Sequence, residues 1–492
     1  MRLTAAMRIL QCFRTALLTA CLCLAAGADA EVVNLPDIGS PSDGLLSVRT
    51  EAMLGRQVYA NLISTGTVIT DPELKEYIQD LGMRLVAHAE IKQGQRFNFF
   101  LIDSSVINAF ALPGGYIGIH TGLLLATKNE SELAGVLAHE ISHVTQRHIS
   151  RAVFANQRAS TLSLATMLGA ILVGMAAGGN ADAIAGAVSI TQGMAIEEQI
   201  SFTRSNEYEA DRVAVPVTAN AGFDPMAMPD FFETMARKSG SLTNRAPEFL
   251  LTHPISSDRM AETRARAHKY PPVQLEDSLD YRLARARTRM LVSSRPEKAM
   301  SHFQSERNAL SGYDSAISRV ELDYGTALAL NELGGQVRAE TILHELVTTY
   351  EESIPLHSEY ADTLVLLGQR EKALASYEAA LVLFPRNLPL TVRYAKALLH
   401  YDEPKQAHTI LLDLLNQVPP TLEQVRLIAV AANSAGDVAD AYYYMAEYQA
   451  MSGNLKLAMD QLILALGTPG LDSVQKARFT ARLDEFSEYL AK

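Results

Sequence analysis

Apolar residues recur at helical spacing over most of the chain, and the clearest departure from that period is a short stretch near residue 100. Asp71-Pro72-Glu73 supplies an N-cap with proline at the first helical position, and Tyr77, Leu81 and Leu85 continue one face, which predicts a helix. Leu133, Val136, Leu137, Ile141 and Val144 form a second such stripe, opened by Asn129 with an acid, Glu132, three residues on. Between the two, Phe97 to Ile102 and Tyr116 to His120 are strand-like runs separated by Asn108-Ala109-Phe110-Ala111-Leu112-Pro113-Gly114-Gly115. They predict a small sheet just ahead of the second helix. Its edge is either plain scaffold or a place where an extended peptide is held by main-chain hydrogen bonds.

Beyond Tyr270-Pro271-Pro272 the pattern is entirely helical, and it repeats every 34 residues. Ala339, Ala373, Ala407 and Ala441 keep that spacing, as do Ala327, Ala361, Ala395 and Ala429 at an earlier position of the unit. Gly334, Gly368 and Gly436 precede the later alanine by a fixed offset, and Pro385 and Pro419 close two units. This resembles the tetratricopeptide repeat, in which small residues let two helices cross closely and proline ends the second. A weaker unit around Ala299 and a half-unit from Gly453 to Leu466 make about four to five repeats. Such an array offers a concave surface that either binds partner segments or docks on the first domain. The expected fold class is mainly α: an α+β domain with a small sheet over 31–270, then an all-α superhelix over 271–492.

Arg2, Arg8 and Arg14 precede an apolar run from Thr15 to Ala26, and Ala28-Asp29-Ala30 has the small residues that a signal peptidase needs. Residues 1–30 therefore read as a leader cleaved near Ala30, which implies export, and Glu31 to about Asp43 reads as a tether. Leu18-Thr19-Ala20-Cys21 resembles a lipoprotein box, so anchoring at Cys21 is the minor alternative. All three cysteines fall in the leader, and the mature chain cannot depend on a disulfide. Loss of the leader takes three arginines and one aspartate from 43 basic and 55 acidic residues, leaving 40 and 54, a net charge of −14. So acidic a chain, without basic runs, excludes nucleic acid as a partner. With 48% hydrophobic residues it is long enough for two or three cores. Arg158 and Asp182 bracket 23 residues without a charge. A single membrane crossing there would separate residues on either side that belong to one site, so 159–195 reads as a helical hairpin that packs in the core or makes peripheral membrane contact.

The chemistry begins at His139-Glu140-Ile141-Ser142-His143. On a helix the two imidazoles share a face with Glu140 beside them, which is half of a zinc site. A catalytic zinc needs a third protein ligand and an open position. The metzincin extension is absent, because Gln146 and Ile149 stand where it requires glycine and histidine and His148 is out of register. Asn206-Glu207-Tyr208-Glu209-Ala210-Asp211 supplies the alternative: Glu207 and Asp211 share a helix face, so that Glu207 can be the third ligand and Asp211 can orient a histidine, while Glu209 points elsewhere.

HExxH followed by ExxxD, with the Ala111-Leu112-Pro113-Gly114-Gly115 stretch before them, resembles the M48 family of zinc metallopeptidases, and specifically those periplasmic members that carry such repeats and serve outer-membrane β-barrel assembly. The resemblance covers nearly the whole mature chain. It implies one Zn2+ per subunit bound by His139, His143 and Glu207, Glu140 as catalytic base, and a functional Asp211, a proton donor in some accounts but better suited physically to orienting a histidine. His253 in Leu251-Thr252-His253-Pro254 matches a His-Pro element of relatives; it is either a regulatory fourth ligand that keeps the enzyme latent or a histidine of a structural loop. The expected activity is zinc-dependent endopeptidase action on misassembled outer-membrane proteins in the periplasm, a quality-control hydrolase with chaperone-like capacity. In it the repeats recruit clients or the β-barrel assembly machinery. The alternative is a mostly latent peptidase acting as a repeat-based chaperone or adaptor.

Overall fold

The computed structural model describes residues 47–155, 204–239, 249–273, 276–310, 316–416 and 420–490. The expected leader, the tether and the stretch 159–195 lie outside these residues. Among the described residues no helix is long and apolar enough to cross a membrane.

Helix α1 (Val48–Ser64) starts at Ser47, whose hydroxyl accepts from the Thr50 N–H, and α2 (Pro72–Val86) starts at Asp71, whose carboxylate accepts from the Leu74 N–H at 3.1 Å. Strands β1 (Asn98–Ile102), β2 (Ala109–Leu112) and β3 (Tyr116–His120) form one sheet in the order β1-β3-β2. The two expected runs pair in parallel, Asn98 opposite Tyr116 and Ile102 opposite His120. This pairing is possible because β2, antiparallel to β3, carries the chain back between them. β2 escapes a search for alternation since all four of its residues are apolar and buried. The turn into β3 needs its glycines: Gly115 has φ +81°, and a Cβ there would stand 1.8 Å from the Arg96 carbonyl oxygen.

Helix α3 (Thr121–Ala126) leads into α4 (Glu130–Thr145), around which the first core is built. The Asn129 side chain accepts from the Glu132 N–H at 2.9 Å, and Glu132 reaches back to the Lys128 N–H at 2.8 Å, so the start of α4 is closed from both sides. Every residue from Glu130 to His143 is buried. The sheet and α2 cover part of α4; α6 (Arg204–Asn220) and α7 (Ala227–Ser239), which follow α5 (His148–Ala155), cover the rest. A short helix α8 (Phe249–Thr252) and α9 (Ser257–Ala267) complete this half.

The second half is a chain of helical pairs: α10 (Leu279–Val292), α11 (Pro296–Ala309), α12 (Ala316–Glu332), α13 (Gln336–Thr349), α14 (Ile354–Leu366), α15 (Arg370–Leu383), α16 (Leu388–His400), α17 (Pro404–Leu415), α18 (Leu422–Ser434), α19 (Val438–Met451), α20 (Leu455–Leu466) and α21 (Ser473–Leu490). Seven of the eight periodic alanines are buried, and Ala441 is half-buried beside buried Ala439. In the unit that lacks the turn glycine, Asp402 adopts φ +61° in its place. Aspartate is among the few residues that visit this region without great cost.

Helix α10 packs into both halves, with Tyr281 and Ala284 in the core around α4 and Leu283 and Ala286 in that of the array. The start of α2 is gripped by Arg287 of α10 and Arg393 of α16, which α12 and α14 hold in place between them. Arg287 donates to Asp71 at 2.8 Å, to Tyr324 at 3.1 Å and to Glu359 at 3.1 Å, and Arg393 donates to Glu73 at 2.9 Å and pairs with Asp362. These groups lie largely out of water, where an unpaired charge would be strongly unfavourable, so the network specifies how the array seats on α2. Arg287 accordingly holds the Asp71 carboxyl down at about 2 against the pull of burial.

Glu76, one turn along α2, is the misfit of this junction. Its carboxylate accepts from Asn387 at 2.8 Å, yet burial, with Asp80 next, pushes it up to about 8 from 4.5. A raised carboxyl keeps its proton in the folded state while the unfolded chain gives it up, so this residue lowers stability progressively as pH rises from about 4.5 to about 8. Glu76→Gln is expected to raise the melting temperature at pH 8.5 and to leave it nearly unchanged at pH 5. An equal shift at both pH values would contradict the assignment.

Candidate metal centre and active site

Three segments bring the site together. His139, Glu140 and His143 project from buried α4, Glu207 and Asp211 from α6 across it, and His253 from the turn after α8. That turn is anchored: the Phe249 N–H donates to the Ile107 carbonyl at 3.2 Å, the His253 N–H to the Phe249 carbonyl at 2.8 Å, and the Phe249 ring is fully buried.

The ligand-type atoms of His139, His143, Glu207 and His253 lie within 4.8 Å of one another, and all four residues are buried. His139 Nε2 is 3.0 Å from His143 Nε2 and 3.3 Å from His253 Nδ1. Glu207 oxygens lie 3.4 Å from each of the first two nitrogens and 3.2 Å from the third. Tetrahedral coordination at about 2.0–2.1 Å puts ligand atoms about 3.3 Å apart, so the donor set fits a four-coordinate zinc-type ion. The local electrostatics also ask for a cation. Burial works against a charged His139, but Asp211 and Glu207 outweigh it and push that imidazole up to about 9. His143 is pushed well below its ordinary value, mainly by burial, and stays neutral, as a ligand must. Burial favours a protonated Glu207, but His253 and the two hydrogen-bonded imidazoles hold it ionised well below the carboxylate range.

Around this cluster the polar groups are ordered. His139 Nδ1 lies 2.9 Å from Asp211 Oδ1, which leaves Nε2 facing the cluster. Arg259, from α9, is fully buried: it donates from Nε to Asp211 at 2.5 Å and from Nη2 at 2.9 Å, and its Nη1 lies 2.7 Å from Glu207. Thr263, one turn on, donates to Asp211 at 3.3 Å. The guanidinium also stacks over Phe232, 4.9 Å from the ring centre. Glu140 is fully buried, neither of its oxygens has a hydrogen bond among the described residues, and burial pushes its carboxyl up. Its near polar neighbour is His253 Nε2, 3.3 Å from Oε1.

All six residues singled out from the sequence thus meet at one place, and Glu209 lies to the side, against Arg151 and His148. What the sequence reading lacked was a function for Arg259. The signal was available in the acids themselves, since two carboxylates on one buried helix face require a cation and neither α4 nor the adjoining part of α6 offers one that reaches them.

Residues 72–267 match the peptidase family M48, and residues 364–432 match the tetratricopeptide repeat. A Vibrio cholerae relative is 36% identical over 94% of this chain and 96% of its own. The beta-barrel assembly-enhancing protease of Escherichia coli is 35% identical, covering 92% of this chain and 91% of its own. A mitochondrial metalloendopeptidase of Arabidopsis thaliana is 27% identical over 35% of this chain and 32% of its own.

Arg259→Met leaves Glu207 and Asp211 without their guanidinium. The metal-free variant is expected to lose about 3–5 kcal/mol of stability. Saturating zinc should then stabilise it more than it stabilises the wild type, because the ion supplies charge that arginine no longer does. Equal zinc-induced shifts in melting temperature for both proteins would contradict this account of Arg259.

Proposed function

Because this chain belongs to the peptidase family M48, among the beta-barrel assembly-enhancing proteases, and is a metallopeptidase joined to a tetratricopeptide array, we propose that it is an exported zinc endopeptidase acting on misassembled outer-membrane proteins. The observation that carries the chemistry is the convergence of His139, His143 and Glu207 on one point with the unbonded Glu140 carboxylate beside it. One zinc per chain is held by those three side chains. When bound, it supplies Lewis-acid polarisation of a carbonyl and acidifies water. Glu140 takes the proton of the attacking water and delivers it to the leaving amine; a carboxyl raised by burial is matched to both transfers. Asp211 holds His139 with Nε2 turned inward, and Arg259 keeps Asp211 and Glu207 ionised.

His253 sets the resting state in this reading. Its Nδ1 stands at the fourth corner of the cluster and its Nε2 stands against Glu140, so one imidazole occupies the substrate's position and engages the base together. Cleavage then requires the 249–254 turn to withdraw. This contact also gives the second reading its force, in which the peptidase is mostly latent and the protein works as a chaperone or adaptor. Export to the periplasm rests on the leader pattern, and the clients and an assembly-machinery partner rest on the beta-barrel assembly in the relatives' names and on the array, whose inner row α2 already fills in part. The catalytic domain extends over 31–270 and the array over 271–492, with α10 serving both.

Glu140→Gln is expected to lower cleavage of unfolded casein by roughly 10²- to 10⁴-fold while zinc stays bound. His253→Ala should raise basal cleavage several-fold. Wild-type basal cleavage and zinc affinity in the His253 variant would remove the latency reading. Full support of outer-membrane protein assembly by Glu140→Gln would favour the adaptor.

A further inference from the structure

We infer that His148 and Glu209 form a hydrogen-bonded relay that fixes the proton position and ring orientation of His143, making both of them positioning residues of the metal centre. The inference rests on the reading above that His143 gives its Nε2 to the metal. In that case the His143 proton sits on Nδ1, and Nδ1 lies 2.8 Å from His148 Nδ1. His148 must accept there, so its own proton is on Nε2, which lies 3.2 Å from Glu209 Oε2. Every proton in the row is thereby assigned, from His143 through His148 to a carboxylate that Arg151 holds at 2.5 Å. Arg151 is itself fixed by Asn206 at 3.2 Å, one residue before the ligand Glu207.

The geometry is that of a directed contact. His148 is completely buried, and its ring meets that of His143 nearly edge to face, with centres 4.8 Å apart at 75°. A side chain present only to fill space would not need a polar partner at each ring nitrogen. The arrangement parallels that of the other α4 ligand: His139 has Asp211 directly behind it, and His143 has Glu209 behind it through one intervening imidazole. Such partners raise ligand basicity and lock the tautomer.

In an unbroken helix His148, five residues after His143, would lie about 140° round from it and could not reach its ring. The break at Arg147 makes the contact possible. Arg147 takes a left-handed backbone with φ +53° between the end of α4 and the start of α5 at His148, so that His148 does not continue the α4 helix. A non-glycine residue in that region is costly, and Arg147 is tied down by a buried pairing with Glu51 of α1 at 3.2 Å. The strained turn thus has a consequence at the metal.

The test uses the full chain loaded with zinc. His148→Phe keeps the ring and removes the acceptor, and zinc affinity by chelator competition is expected to fall about 10- to 100-fold. His148→Asn returns an oxygen near the Nδ1 position and should recover most of that loss, which a space-filling role would not allow. Glu209→Ala, at a partly exposed site where folding is not at risk, should weaken zinc binding to a smaller extent. Nitrogen-15 spectra of the zinc-loaded wild type should show His148 protonated on Nε2 and not on Nδ1. Wild-type zinc affinity in both His148→Phe and Glu209→Ala, or a proton on His148 Nδ1, would overturn the relay. His143→Ala separates the two levels: if it binds zinc normally, the ligand assignment fails; if it loses zinc while His148→Phe and Glu209→Ala keep it, the relay alone fails.

Discussion

Glu207 and Asp211, both held ionised, are buried beside one another next to Glu140, and such negative charge is tolerated inside a protein only where cations stand against it. Arg259 is one such cation, and the cluster of His139, His143, Glu207 and His253 is where a metal ion would supply another. This balance explains why α4, α6 and α9 must meet where they do. The site is carried by helices packed into the core, so its side chains are held by their surroundings. Only His253 comes from a turn, and it is the residue whose withdrawal the proposed activation requires.

Much of this was legible in the chain itself. The caps at Asp71 and Asn129 announced α2 and α4, the two aromatic and aliphatic runs announced two strands of a small sheet but not their parallel pairing, and the 34-residue spacing announced an array whose alanines are largely buried. The residues that converge at the candidate site were readable because His139 and His143, and likewise Glu207 and Asp211, are separated by one helical turn, a spacing that survives folding unchanged. The mainly α fold and the M48 membership followed from those elements.

The rest depended on departures from regular structure or on contacts across the chain. β2 lacks alternation because both of its faces are covered. His148 looks out of register until the left-handed residue Arg147 is known, and no local pattern marks an arginine for that conformation. Arg259 lies 48 residues from Asp211, and its depth could be inferred only from the charge it must offset. The seating of α2 against Arg287 and Arg393 likewise joins residues more than two hundred positions apart.

Diffraction from crystals of the zinc-saturated full chain, recorded on both sides of the zinc absorption edge, tests the central claim most directly. The account predicts a single anomalous peak bounded by His139 Nε2, His143 Nε2 and a Glu207 oxygen, with His253 Nδ1 at the fourth position and Glu140 just outside. An empty centre in saturated crystals, or zinc bound elsewhere with these side chains unliganded, would contradict it.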